Sequence, residues 1–347
     1  MQSTNRALAA RCKRIRFSTS VRIVEVGPRD GLQNEPLPAV SMETKVELVQ
    51  KLLKSGIQSI EVGAFVSPKW VPQMANSSDV FAQLRELVAP EDYANFSALT
   101  PNMKGLESAI ALGVHEVAIF GAASESFSKR NINCSIQESL DRFEEVARVA
   151  LETKLPNGET RRVRGYISCV LGCPYEGYVQ PERVSYVAQR MLDMGCYEVS
   201  VGDTIGTGNA GTTAQLLTHL LQKKEDGGSI GFPVNQLAVH FHNTYGQALA
   251  NIHTALQAGV RVIDSSVSGL GGCPYAKGAS GNVATEEVLY MLQGLGISTA
   301  GLGGCSGVRR KEVDMDLLLD AADFIDKRLG GRVTQSKVAA ALLSKRQ

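Results

Sequence analysis

Negative charge is missing from the beginning of the sequence, where no acidic residue precedes Glu25. Residues 1–20 contain five basic residues, Arg6, Arg11, Lys13, Arg14 and Arg16. An arginine-rich, acid-free leader that also carries serine and threonine is typical of a mitochondrial transit peptide. We therefore expect residues 1–20 to direct the chain to the mitochondrial matrix, with cleavage between Phe17 and Val21. The alternative is a basic tail without a targeting role.

Long apolar runs, a disulfide framework and a large excess of one charge are absent as well. No uninterrupted apolar stretch approaches the roughly 18 residues of a membrane span, which argues against a membrane-spanning helix. The seven cysteines are odd in number and scattered, and this fits a reducing compartment. The net charge is +1, and removing the five basic charges of the leader leaves about −4, so nucleic acid is not an expected partner.

A recurring joint between a helix and a strand organises the rest of the chain. At four places an apolar helical pattern stops at a glycine, and a β-branched run follows within a few residues. Glycine suits the end of a helix because it enters the left-handed region without a steric penalty. The four glycines are Gly56, Gly113, Gly195 and Gly259.

Four further strands are predicted over residues 22–26, 95–99, 163–168 and 236–242, which brings the number to eight. Between strands, Ser41 can cap a helix over 42–55, and Ser135 with Glu138 forms a capping box for a helix reaching about Leu151. Strands that alternate with helices predict parallel βαβ units, and eight units close a (β/α)8 TIM barrel. An open doubly wound sheet is the alternative, but no glycine-rich phosphate-binding fingerprint follows the first strand.

The division of the chain follows from this pattern. We predict that the catalytic barrel covers residues 21–302 and that residues 303–347 form a C-terminal helical extension packed on it. The extension should contain a helix from about Lys311 to Leu329 that ends at Gly330, followed by a shorter helix. The charged run over 309–316 is interpreted as the solvated start of the first helix.

In this fold, functional groups collect where the strands end, at the C-terminal rim of the barrel. The predicted rim carries Arg29, Asp30, Glu61, Asp203, His240 and His242. His240 and His242 lie two apart in one strand and therefore point to the same side, while Phe241 faces the surrounding helices.

Two imidazoles on one face, together with Asp30 from another strand end, predict a metal site. Mixed nitrogen and oxygen ligands in an open, partly hydrated site are compatible with Mn²⁺ or Mg²⁺. Arg29 beside a metal-bound carboxylate offers a planar donor fork for a developing oxyanion, although Arg29 and Asp30 could also form a structural ion pair. The remaining histidines are predicted to be packing or surface residues: His115, His219 and His253.

Residues 267–282, VSGLGGCPYAKGASGN, are dense in glycine. Because such density costs conformational entropy, we interpret the segment as a mobile lid that closes over a ligand and delivers Cys273 to the site. An inert thiol in a flexible loop is the alternative.

Several motifs together resemble the 3-hydroxy-3-methylglutaryl-CoA (HMG-CoA) lyase family. They are VGPRDGLQNE, IEVGAFVSPKWVPQM, CVLGCPYEG, VGDTIG, HFHNTYGQALAN and SGLGGCPYAKGASGNVATE. The resemblance extends from Val21 to about residue 325. The Arg-Asp and Glu rim signature is shared by a wider superfamily of metal-dependent lyases and Claisen-condensing barrels, whereas the glycine-rich segment with its cysteine and the FVSPKWVPQM run look like the lyases themselves. The resemblance implies a homodimer that cleaves HMG-CoA to acetyl-CoA and acetoacetate, with a divalent cation, in ketone-body formation and leucine degradation.

The resemblance also implies roles for individual residues. It implies that the cation is held by Asp30, His240, His242 and Asn282. It implies that Arg29 polarises the thioester oxygen, that Glu61 orients groups around the metal, that Asp203 supports the site from its strand end, and that Cys273 acts from the lid. Substrate contacts are implied for Arg29, Gln33 and Asn131, the last toward the CoA moiety. The base is either Asp30 or one of the histidines.

One position departs from the family's pattern, and three other functions stay open. Asn243 replaces the aspartate that usually follows the second histidine, so this position adds no negative charge near His242. The alternatives are a lyase for a related 3-hydroxyacyl-CoA, a Claisen synthase joining acetyl-CoA to a 2-oxo acid, and a silent barrel that binds CoA or metal. The synthases normally carry additional regulatory sequence, whereas about 45 residues follow the predicted barrel here.

Overall fold

Eight short parallel strands close on themselves in the computed structural model, which describes residues 20–222, 231–272, 281–302, 309–332 and 334–346. The barrel strands are β1 (Arg22–Glu25), β2 (Ser59–Ala64), β3 (Phe96–Leu99), β4 (Glu116–Ala122), β5 (Arg162–Ser168), β6 (Glu198–Asp203), β7 (Leu237–Phe241) and β8 (Val262–Ser265). Each strand pairs with its neighbours in chain order, and β8 returns to pair with β1. The predicted (β/α)8 barrel is therefore confirmed.

Helices connect these strands and cover the outside of the barrel. They are α1 (Met42–Lys54), α2 (Ser77–Leu87), α3 (Pro90–Tyr93), α4 (Met103–Ala111), α5 (Glu125–Ile132), α6 (Ile136–Glu152), α7 (Pro181–Asp193), α8 (Ala210–Leu221), α9 (Ala248–Gln257), α10 (Thr285–Gly294), α11 (Met315–Arg328) and α12 (Lys337–Leu343). Short turns with other helical geometry occupy Gly27–Gly31, Pro72–Met74, Val234–Gln236 and Val267–Gly269. Among the described helices, none combines the length and the apolarity that a bilayer crossing requires.

The predicted start and stop signals act locally as expected. The Ser41 hydroxyl accepts a hydrogen bond from the Thr44 amide at 3.2 Å at the start of α1. At the start of α6, Ser135 and Glu138 form the predicted capping box, each side chain accepting the other's backbone N–H. The four glycines of the helix-to-strand joints all have positive φ, between 70° and 102°, which explains why glycine stands there.

The strands bury apolar side chains against the helices and charged side chains inside the barrel. In β5, Val163 and Ile167 belong to the apolar core, whereas Arg164 alternates with them and is fully buried. Arg164 bonds to Glu198 of β6 and to Asp264 of β8. Buried charges are tolerated only when they are paired and hydrogen-bonded, and these two carboxylates supply the partners that buried Arg164 needs.

The start of the C-terminal extension differs from the prediction. The helix begins at Met315 rather than near Lys311, because Asp314 accepts the amides of the first turn. The preceding charged run is engaged elsewhere: residues 309–310 form strand β10 (Arg309–Arg310), which pairs with β9 (Gly301–Leu302). The Glu312 carboxylate accepts from the Thr299 amide. Only the end of the run, from Asp314, begins the helix, so the interpretation was wrong for residues 309–313.

The extension reaches the beginning of the glycine-rich segment. Helix α11 packs against α1 and against residues 267–269. Ser268 has a positive φ of 58°, its hydroxyl donates to Asp326 of α11 at 2.6 Å, and its amide donates to Glu286 of α10 at 2.8 Å. The middle of the predicted lid, residues 273–280 with Cys273, and the predicted leader up to residue 19 lie outside the described residues.

Glu286 generates a prediction about stability and pH. Burial raises its pKa from 4.5 to about 8, although the Ser268 amide acts in the opposite direction. Between these two values the folded state holds a proton that the unfolded state has released, so this group makes the free energy of unfolding fall as pH rises. Glutamine does not titrate, so Glu286→Gln lacks this decrease. Relative to the wild type, its free energy of unfolding should rise by up to roughly 1.4 kcal/mol per pH unit across that window. Urea unfolding at a series of pH values measures the difference.

The control is Glu145→Gln, which makes the same charge change on the exposed face of α6. Its difference from the wild type should vary little with pH. If the difference in free energy of unfolding between Glu286→Gln and the wild type depends on pH as little as the control's does, burial does not destabilise the Glu286 carboxylate.

Candidate active site

A tight turn places the first two site residues directly after β1. In Gly27–Gly31 the Gly27 amide donates to the Glu25 carboxylate at 2.8 Å. A Cβ atom at Gly27 would lie 2.6 Å from the same carboxylate, so a larger residue would displace the Glu25 side chain from its bonds to the Gly27 and Val267 amides. The turn carries Arg29 and Asp30 onto the C-terminal rim, as the barrel prediction required.

The guanidinium of Arg29 is buried and donates hydrogen bonds to two carboxylates. Its Nε donates to Oε2 of Glu61 at 2.5 Å, and its Nη1 donates to Oδ1 of Asp30 at 2.7 Å. Burial alone would raise the pKa of Asp30, but the charges of Arg29 and His240 lower it to about 2. Burial raises the pKa of Glu61 in spite of Arg29. The plane of the guanidinium is thus fixed, and Asp30 is an anion at neutral pH.

The two histidines of the HFH motif meet Asp30. His240 lies in β7 and His242 follows one residue after it, with ring centroids 5.4 Å apart. One ligand atom from each of Asp30, His240 and His242 falls within 4.8 Å of the others. Burial and the neighbouring His240 lower the pKa of His242 to about 4, so its ring is neutral and retains a lone pair. This donor set fits a divalent cation.

Asn282 lies at the edge of the same cluster. It pairs with His242 in an isolated β-bridge, and its Nδ2 donates to Oδ2 of Asp30 at 2.8 Å and to the Leu270 carbonyl at 3.2 Å. Asn243, the departure from the family pattern, accepts from the Ala248 amide at 3.2 Å. Its side chain therefore stabilises the beginning of α9.

Three other predicted site residues, Asp203, Gln33 and Asn131, lie in different parts of the fold. Asp203 ends β6, and its Oδ2 accepts from the Gly208 amide at 2.8 Å. Burial raises the pKa of Asp203 to about 6. Gln33 is half-buried just after the turn that carries Arg29, and Asn131 is exposed near the end of α5. Cys273 lies outside the described residues.

Sequence reasoning missed the polar groups beneath the rim. The Tyr166 ring is flanked by the guanidinium groups of Arg29, 5.7 Å away, and of Arg164, 4.8 Å away. Asp264 accepts from Arg164 and from Ser200, and it lies 3.4 Å from Nδ1 of His240. The available signal was a charged residue inside an otherwise apolar strand, since such a residue needs a buried partner.

The arrangement provides cation ligands next to a fixed cationic fork. Such a pair of features suits an anionic or chelating substrate whose carbonyl oxygen gains charge during the reaction. Both features stand at the C-terminal rim, where barrel enzymes place their chemistry.

Comparison with known proteins shows the family of the chain. The model of the family described as HMGL-like matches residues 20–325. A curated relative from Pseudomonas aeruginosa, named 3-hydroxy-3-isohexenylglutaryl-CoA/hydroxy-methylglutaryl-CoA lyase, is 53% identical over 325 residues, which cover 94% of this chain and 98% of the relative. A relative from Bos taurus, named hydroxymethylglutaryl-CoA lyase, mitochondrial, is 51% identical over 325 residues, covering 94% of this chain and 90% of the relative.

A solved structure is similar as well. An HMG-CoA lyase from Acinetobacter baumannii, in complex with coenzyme A and 3-methylmalate, is 31% identical to this chain with a TM-score of 0.79. The similarity covers 93% of this chain and 95% of the other.

The histidine cluster predicts how a divalent cation binds. His242→Ala removes a neutral ring nitrogen from the donor set, so affinity for Mn²⁺, measured by calorimetry on the full chain, should fall by at least about 10-fold. His219→Ala on α8, where the ring contacts Ser185, is the matched control and should leave affinity unchanged. Equal Mn²⁺ affinity in the two variants would show that His242 is not a ligand.

Proposed function

The chain belongs to the HMGL-like family, and from that premise we propose that it is a carbon–carbon lyase that cleaves HMG-CoA to acetyl-CoA and acetoacetate. The single observation that carries the proposal is the meeting of Asp30, His240 and His242 beside the guanidinium of Arg29 at the barrel rim. The names of the similar proteins support the same reaction.

We propose that the cation is Mg²⁺ or Mn²⁺, held by Asp30, His240, His242 and Asn282. Two imidazoles, one carboxylate and one amide form a mixed set that accommodates either ion. When bound, such a cation supplies a Lewis acid that lowers the pKa of a substrate hydroxyl and orients it. The Asn282 amide donates to Asp30, which keeps these two side chains together.

The proposed reaction removes the proton of the tertiary hydroxyl and breaks the bond between C2 and C3. The electron pair of the hydroxyl oxygen forms the ketone of acetoacetate, and the pair of the broken bond passes to C2 as the enolate of acetyl-CoA. A final protonation at C2 completes acetyl-CoA. The base is Asp30 or one of the two histidines, all of which lie in the same cluster.

Arg29 acts on the thioester side of this reaction. As the enolate forms, negative charge develops on the thioester oxygen. The guanidinium is held in place by Glu61 and Asp30, so it does not need to reorganise when that charge appears. We propose Glu61 as a residue that orients Arg29. Cys273 stays our candidate for the acid that protonates C2, and its assignment rests on the resemblance alone.

We propose the mitochondrial matrix as the location. The support is the basic, acid-free stretch before Val21 and the occurrence of relatives named mitochondrial. A fluorescent fusion with and without residues 1–20 tests this location. The homodimer stays a prediction that analytical ultracentrifugation tests.

The first experiment is an assay of the purified chain with HMG-CoA and Mg²⁺, following acetoacetate. We expect product formation that EDTA abolishes and added Mg²⁺ or Mn²⁺ restores, because the ligand set is needed to activate the hydroxyl. The name of the Pseudomonas relative favours 3-hydroxy-3-isohexenylglutaryl-CoA as a second substrate to test. Cleavage of that thioester alone would replace the proposed substrate, and cleavage of neither by folded, metal-loaded protein would contradict the lyase proposal.

Arg29→Lys tests whether Arg29 stabilises a developing oxyanion or only forms a structural ion pair. Lysine keeps the charge but loses the planar fork, so we expect kcat to fall on the order of 10²-fold, with a smaller change in KM. Arg148→Lys, an exposed arginine on α6, is the control and should keep full activity. Near-normal kcat for Arg29→Lys would make Arg29 a structural ion-pair partner.

A further inference from the structure

The two ring nitrogens of His240 face two different carboxylates. Nε2 lies 3.8 Å from Oδ2 of Asp30, on the side of the proposed cation, and Nδ1 lies 3.4 Å from Oδ2 of Asp264. Within the described residues, buried Nδ1 has no hydrogen-bond partner, and the Asp264 carboxylate is the charged acceptor that lies beside it. A charged oxygen is the strongest acceptor available to an N–H group, so Asp264 is the natural partner of Nδ1.

Asp264 is itself held rigidly inside the barrel. It lies in β8, its side chain is fully buried, and Arg164 donates to both of its oxygens at 2.8 and 3.2 Å. The Ser200 hydroxyl donates to Oδ2 at 2.7 Å. On its other side, Arg164 donates from Nε to Glu198 at 2.8 Å. The position of the carboxylate is therefore set by three strands, β5, β6 and β8.

We propose that Asp264 is a positioning residue for the reaction: it accepts the Nδ1–H of His240 and so leaves Nε2 unprotonated toward the cation. The hydrogen bond made by one ring nitrogen decides which nitrogen carries the proton. Carboxylates behind metal-bound histidines commonly fix the orientation of the ring and the basicity of the ligand in this way. This inference rests on the proposed metal-dependent function.

The test uses the full chain with Asp264→Asn. The shorter bond from Arg164 should keep the amide oxygen on its side, which turns the amide NH₂ toward His240. Nδ1 then becomes an acceptor, and the proton moves to Nε2. We expect Mn²⁺ affinity to fall about 10- to 100-fold. The matched control is Glu198→Gln, which disturbs the same arginine without contacting His240.

A tautomer measurement adds a readout that a merely structural role would not change. Nitrogen-15 NMR of histidine in the metal-free protein, at a pH where the rings are neutral, should show the Nδ1–H form for His240 in the wild type and in Glu198→Gln. His240→Ala assigns the signal. Asp264→Asn should show the Nε2–H form.

The outcomes separate this inference from the proposed function. An Nε2–H form of His240 in the wild type overturns the inference, and this measurement does not require Asp264→Asn to fold. Unchanged Mn²⁺ affinity in folded Asp264→Asn, or an equal loss in Glu198→Gln, overturns it as well. If the tautomer and the affinity behave as expected while the wild type cleaves no HMG-CoA, the positioning role stands and the proposed substrate fails.

Discussion

The ion pairing of one buried guanidinium is the constraint on which the rim depends. Arg29 is almost fully buried, and a charge in that position is tolerated only with compensating partners. Glu61 provides one of them from within β2, and Asp30 provides the other from the turn after β1. The same pairing holds Asp30 as an anion facing the two histidines. The charge state of Asp30, a proposed cation ligand, and the orientation of Arg29, the proposed oxyanion donor, are therefore two results of one interaction.

Much of the fold could be predicted from the sequence because its signals are local. The glycine joints and the serine caps act within a few residues, and the structure confirms them at Gly56 and Ser135. The start of α11 was placed too early although its cap, Asp314, is local, because tertiary contacts hold the residues just before the cap out of the helix. Glu312 bonds to Thr299 instead of opening a helical turn, and no pattern within the charged run reveals that partner.

The candidate site likewise contains residues that local sequence signals could predict and residues that they could not. Arg29, Asp30 and the HFH motif stand at strand ends, so their types and places pointed to a shared rim, and the structure brings them together. Asp264 could not be assigned, because its partner Arg164 lies 100 residues earlier in the chain. Which interior side chains meet across a barrel depends on the register of opposing strands, and the sequence pattern does not contain that information.

The bridge between His242 and Asn282 has a consequence beyond the site itself. Both described ends of the glycine-rich segment are fastened: Gly281 accepts the Asn243 amide at 2.7 Å, and the Gly272 carbonyl accepts from Asn34 at 3.2 Å. The Asn282 side chain donates to the Leu270 carbonyl and so joins the two ends of the segment to each other. These bonds fix the two described ends of the segment, and because His242 and Asn282 take part in them, the same bonds hold two of the proposed cation ligands.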